Sequence, residues 1–149
     1  MVNLYTPSLT GNDVEKTKSF EVGNLFIVAI MGGIIAVSVL GIRNAKSLKL
    51  EKKYIQLLTI VSVVLIISKL ALVFAIANQI INIDLTYIKL IGRLFGAACF
   101  FIYFAFLNKP YKDHLALGGD TDSLIGPGLT WCLISGLIER LSQEFILAL

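Results

Sequence analysis

Long apolar runs separated by short polar stretches organise this chain. The longest, Tyr54 to Ile81 (YIQLLTIVSVVLIISKLALVFAIANQII), carries one charge, Lys69, near its middle. Val22 to Ile42 and Leu85 to Leu107 are similar runs. A helix of about 20 residues is roughly 30 Å long, enough for the hydrocarbon core of a bilayer, so each run predicts a transmembrane helix. Leu124 to Leu149 is the ambiguous stretch. It opens LIGPGLTW and stays apolar to Ile138, then meets Glu139, Arg140, Gln143 and Glu144 before closing FILAL. Its length suits a span, whereas Gly126, Pro127 and Gly128 would equally open an interfacial or re-entrant helix. The predicted fold is an all-α integral membrane protein, a small bundle of three to four transmembrane helices in one domain over 1–149, with four the better-fitting count. The spans fall near 22–42, 54–81, 85–107 and, in the four-span reading, 124–149.

The intervening stretches set an orientation. Met1 to Phe20 is a polar tail containing Pro7, Gly11, Asn12 and four charges, Asp13, Glu15, Lys16 and Lys18, without a core of its own. Arg43 to Lys53 holds five basic residues against one acid. By the positive-inside rule it faces the cytoplasm or the equivalent organellar side. Asn82, Ile83 and Asp84 form a short turn, so the helices around it should be antiparallel neighbours. Asn108 to Ser123 should break helix at Pro110, Gly118 and Gly119, and adds Lys109 and Lys112 as a second inner loop. Counting loops then places the N-terminus outside.

Composition agrees with lipid as the main solvent. Of 149 residues, 56% are hydrophobic and 15% charged, with a mean hydropathy of +0.82, whereas soluble domains are about 25% charged. The net charge of +3 reflects loop lysines and arginines and makes no nucleic-acid stripe. Cys99 and Cys132 lie within apolar segments and read as small buried hydrophobes.

Charges inside the spans need a reason, since each costs on the order of 3 kcal/mol at the centre of a membrane helix. Lys69 is too deep for easy snorkelling. On the third span Lys89, Gly92, Arg93 and Gly96 follow an i, i+3, i+4, i+7 pattern and share a face, so that GRLFG is a GxxxG with a charge inside it. In the last segment Cys132, Ser135 and Glu139 share a face, and Arg140 and Glu144 form an i, i+4 pair. If that segment spans from the inside, Glu139 reaches the depth of Lys69 and comes within about a turn of Arg93. The predicted intramembrane cluster is therefore Lys69, Arg93 and Glu139, one carboxylate between two cations. Ala29 and Gly33 on the first span, and Gly92 and Gly96 on the third, are the predicted close helix contacts, with Gly32 and Ala36 beside them.

Several chemistries find no support. His114 is the single histidine and falls in a predicted loop beside Asp113, which weighs against haem and zinc. Asp120 to Asp122 suit a helix N-cap, at Asp122 or Ser123, better than a cation site. No phosphate loop, dinucleotide fingerprint, nucleophile elbow or CxxC occurs, and no enzyme is expected. No cofactor is implied. The partners expected are the lipid bilayer and other membrane subunits, or further copies of the chain, in a bacterial inner membrane or an organelle or thylakoid membrane. A non-catalytic subunit of a membrane complex is the first functional expectation, and a homo-oligomeric channel, transporter or pore-forming protein is the alternative.

Overall fold

The computed structural model of the chain describes residues 18–81 and 87–147. Expectations for the tail up to Thr17, for the turn at 82–84 and for the last two residues lie outside them. Among the described residues there are four helices, α1 (Leu25–Ser47), α2 (Lys52–Ala77), α3 (Tyr87–Ala116) and α4 (Ile125–Leu147), with two short strands, β1 (Lys18–Phe20) and β2 (Asp120–Asp122). Three stretches, Val22–Ser47, Lys52–Ala77 and Tyr87–Ala116, are long and apolar enough to cross a membrane, consistent with an integral membrane location.

The first of these is not a straight rod. Gly33 has φ 65° and ψ −158°, a conformation that breaks the helix in two and is essentially confined to glycine. The chain reverses there. Phe20, before the first half, accepts and donates hydrogen bonds with the side chain of Asn44 in the second, at 2.9 and 2.7 Å. A continuous helix would hold those residues about 36 Å apart. Contacts with α3 tell the same story: Ala29 and Gly33 both meet Gly96, whereas Phe26 stacks edge-on with Phe100 and Gly41 packs on Tyr103. Residues 25–32 thus run antiparallel to α3 and residues 34–47 run parallel to it. The pair is a helical hairpin with its tip at Gly33.

This reversal moves the N-terminal side of the hairpin. β1 pairs in parallel with β2, Lys18 opposite Asp120 and Phe20 opposite Asp122. Arg43 lies over the Phe20 ring, 5.3 Å from its centroid. Residues 18–20 therefore sit at the same end of the bundle as the basic 43–53 stretch and the 117–124 connection. The expected unbroken helix over 22–42, with its start at the opposite end of the bundle, is corrected: hydropathy counts apolar residues and is blind to one backbone dihedral.

α2 then runs from the basic end to the far end, and α3 returns. Pro110 does not end α3, contrary to expectation. The helix forgoes one backbone bond there and continues to Ala116, with Tyr111 packed on the core beyond it. It stops at Gly118, φ 82°, where Gly119 and Gly118 donate back to His114 and Leu115. His114 is consequently in the last turn of a helix rather than a loop. Lys49 (φ 53°) and Gln79 (φ 56°) close α1 and α2 in the same way without being glycine. α4 departs alongside the first arm of the hairpin: Gly128 faces Val28 and Cys132 faces Gly32. Its far end reaches as far as that of α2, since Ile146 packs on the cluster of Val73, Ile76 and Ile88.

The core lies between the two arms of the hairpin, α2 and α3. Leu25, Ile34, Val37, Leu40, Leu58, Cys99 and Leu107 are buried there. Tyr103 is fully buried. Its hydroxyl is 2.9 Å from Ser62 Oγ on α2, and its ring fills the space that Gly41 leaves open. A polar atom at that depth is tolerable because it is paired. By contrast the outer faces of α2, α3 and α4 present large apolar side chains such as Ile60, Ile67, Phe101, Leu133 and Leu141.

Candidate functional site at the hairpin tip

The two halves of a broken helix leave backbone groups without intrahelical partners at the break. In an apolar setting they must be met by neighbouring protein or by water. Here α4 supplies the neighbour. Ser135 Oγ donates to the carbonyl of Gly32, at the end of the first arm. A Cβ on Gly32 would lie 2.8 Å from Cys132 Sγ, and one on Gly33 would lie 2.6 Å from Glu139 Oε1. Cys132, Ser135 and Glu139, which the helical spacing puts on one face, are the residues that α4 turns toward the tip.

Glu139 also meets α2. Its Oε2 is 2.7 Å from Lys69 Nζ, with the lysine side chain 7% exposed and the carboxylate 26%. The contact is an ion pair by distance, while its angles fall outside hydrogen-bond geometry, so that it is an ionic approach more than a directed bond. Lys69 reaches it across α3, where a Cβ on Gly92 would be 3.4 Å from Nζ. Gly96, one turn on, admits the hairpin: its missing side chain would fall 2.5 Å from the Ala29 carbonyl oxygen and 3.3 Å from Gly33 Cα. The GRLFG segment thus makes two different close approaches, one to a cation and one to a backbone reversal.

Arg93 stands apart from the pair. It is exposed, and among the described residues it makes no ion pair, so the expected bridge of one carboxylate between two cations does not form. The carboxylate is turned toward α2 and the hairpin tip. Arg93 instead lines, with Lys89, Lys69, Glu139 and residues of α4, a cavity of about 890 Å³ open at the far half of the bundle. Arg140 and Glu144 on its rim form the expected i, i+4 pair, with Nε and Oε1 3.1 Å apart. At the basic end a second groove, about 920 Å³, is lined by the acids Glu21 and Asp122 together with Asn24, Ser123, Val28 and Cys132.

No family model, curated protein or solved structure matches this chain. The site is accordingly read from its own chemistry. Asp120 to Asp122, considered as a helix cap, form β2, and only Ser123 contributes a cap-like contact, accepting from Ile125 N at 3.4 Å. Among the described residues no group of three or more His, Cys, Asp or Glu side chains is placed to hold a metal ion.

The feature that sequence reading missed is the break itself. Its signal was present as the Gly32-Gly33 pair at the middle of an apolar run, read there as a packing surface. A GG pair inside a helix and a GG pair at a turn look alike until something is found to receive the turn.

Proposed function

We propose that this chain is a membrane protein of three crossing helices, α2, α3 and α4, with a re-entrant hairpin, and that ions or small solutes pass beside the hairpin tip. The observation that carries this reading is the helix break at Gly33 set against the buried Lys69–Glu139 pair. Non-helical backbone at membrane depth is tolerated only where protein covers it or water reaches it, and intramembrane ionisable groups mark pathways by default. Discontinuous helices that offer half-helix ends inside the membrane are a recurring device for solute binding in transporters. Grooves on either side of the tip, acid-lined at the basic end and cation-lined at the far end, fit an interrupted path with the hairpin as its plug. The basic stretch 43–53 faces the cytoplasm or its equivalent in this arrangement, and residue 18 lies on that same side.

The test is ion flux from vesicles holding purified protein, with an impermeant reporter dye inside. Wild type should conduct, and Glu139→Gln should change the rate. Vesicles that hold at least one protein each and remain tight would end this reading.

A second reading, a non-catalytic subunit of a larger membrane assembly, is favoured by one surface. Ile125, Leu129, Leu133, Leu137, Leu141 and Phe145 recur every four residues and are all exposed, making an unbroken apolar stripe along α4. Such a stripe suits another helix, from a partner or a second copy, as well as it suits lipid. Purification in mild detergent distinguishes them: a stoichiometric companion supports the subunit, and a lone monomer opposes it.

A further inference from the structure

Among the described residues, the cavity at the far half is lined by more cations than carboxylates. Four basic residues line it, Lys69, Lys89, Arg93 and Arg140, against two carboxylates, Glu139 and Glu144. Lys69 is taken by Glu139 and Arg140 by Glu144. Among the described residues Lys89 and Arg93 then have no carboxylate paired with them; they lie one helical turn apart on α3, both exposed and both facing the same space. Two like charges at i, i+4 repel, so their neighbourhood favours an anion between them.

Depth narrows the anion's chemistry. Lys89 and Arg93 lie about 3 and 9 Å along the helix axis from Tyr87, the first described residue of α3. In a helix that crosses the bilayer this is the headgroup region and the first turn below it, the level of lipid phosphates. A guanidinium offers a planar fork matched to phosphate oxygens, and a lysine offers a point charge beside it. Ile30 and Met31 of the hairpin, 43% and 66% exposed, give the same cavity an apolar wall. The combination suits a ligand with a phosphate at one end and, where it has one, a hydrocarbon chain at the other.

We infer that the cavity between the hairpin tip, α3 and α4 is a binding site for a phosphate-bearing anion, with Lys89 and Arg93 as its recognition pair. The phosphate belongs either to an anionic lipid headgroup or to a free solute. The inference takes the membrane depth of the cavity from the reading above, but it concerns equilibrium binding and needs no flux.

Two measurements separate the sources. In the first, purified protein is equilibrated with mixed micelles of equal phosphatidylglycerol and phosphatidylcholine, and the lipids retained are counted by native mass spectrometry. In the second, delipidated protein is titrated calorimetrically with inorganic phosphate. Enrichment of phosphatidylglycerol supports a lipid phosphate, and phosphate binding without enrichment supports a free anion. Either signal should fall roughly tenfold in Lys89→Gln/Arg93→Gln, as expected for losing charge-assisted contacts. It should survive in Lys109→Gln/Lys112→Gln, which removes equal charge at the other end of α3. Arg93→Lys, which keeps the charge, should retain part of it and guards against misfolding of the double variant. Wild type that neither enriches the anionic lipid nor binds phosphate would overturn the inference, as would a folded double variant that binds like wild type. Binding in a protein that conducts nothing would leave this site standing while the pathway reading fell.

Discussion

The backbone of Phe20 and the side chain of Asn44 are joined by two hydrogen bonds, Phe20 N to Oδ1 at 2.7 Å and Nδ2 to Phe20 O at 2.9 Å. Asn44 is fully buried, and its amide acts as one more strand along the free edge of β1. These two bonds pin the open ends of the hairpin together. Asn44→Leu leaves a buried donor and acceptor of Phe20 unpaired, at about 1–3 kcal/mol for such a group. The variant should melt at a lower temperature in detergent, and a cysteine introduced at Ser19 should become more reactive. An unchanged melting temperature would mean that the pin contributes nothing.

Gly33 and Gly136 predict opposite outcomes for the same substitution. At Gly33 the dihedrals exclude an L side chain, and the Cβ would meet the Glu139 carboxylate. Gly33→Ala should therefore reduce stability by more than about 2 kcal/mol, combining backbone strain with displacement of Glu139. Gly136, in the body of α4, has open space around its missing side chain. Gly136→Ala should raise stability by roughly 0.5–1 kcal/mol, as for glycine in a helix interior. Thermal unfolding of both, side by side, checks the break directly.

Breaking a buried ion pair costs more than removing it. Lys69→Met alone leaves Glu139 without its counter-charge, and Glu139→Gln alone leaves a nearly buried ammonium, so each should destabilise by about 3 kcal/mol. Lys69→Met/Glu139→Gln should recover most of that loss. Additive losses in the double variant would show that the two side chains do not act as a pair.

Topology offers a test that does not depend on energies. With Cys99 and Cys132 replaced by serine, single cysteines at Lys18, Lys49 and Gly118 should all react with an impermeant maleimide from one side of the membrane, and one at Ile80 from the other. Labelling at residue 18 from the side of residue 80 would restore an unbroken first span and refute the hairpin.

The left-handed residues at two helix ends give a last prediction. Lys49 and Gln79 adopt φ 53° and 56° at positions where glycine is unstrained. Lys49→Gly and Gln79→Gly should each be neutral or stabilising by up to about 1 kcal/mol, since a side chain in that conformation costs roughly 1–2 kcal/mol before glycine's own entropy is subtracted. Unfolding midpoints that fall instead would point to contacts made by the side chains themselves.

Much of this architecture follows from one-dimensional information. Apolar runs long enough for a bilayer, the basic stretch at 43–53, and the helical spacing of Cys132, Ser135 and Glu139 are properties of order along the chain. So is the mutual depth of Lys69 and Glu139, because both positions can be counted in helical rises from the same end. Helix interiors repeat, and repetition is legible. Whether Gly33 continued a helix or reversed it was not, because the answer rests on what α4 and α3 bring to the tip: Ser135 for the Gly32 carbonyl, and the bare surface of Gly96 for the returning backbone. The same holds for Arg93, whose place on the face of Lys89 was plain while its separation from Glu139 was decided by Lys69 arriving across Gly92. Local order determined the helices, their lengths and their charged faces. Only the tertiary structure decided that one apolar run turns back on itself, because a reversal inside an apolar core becomes stable only when distant residues satisfy the backbone it exposes.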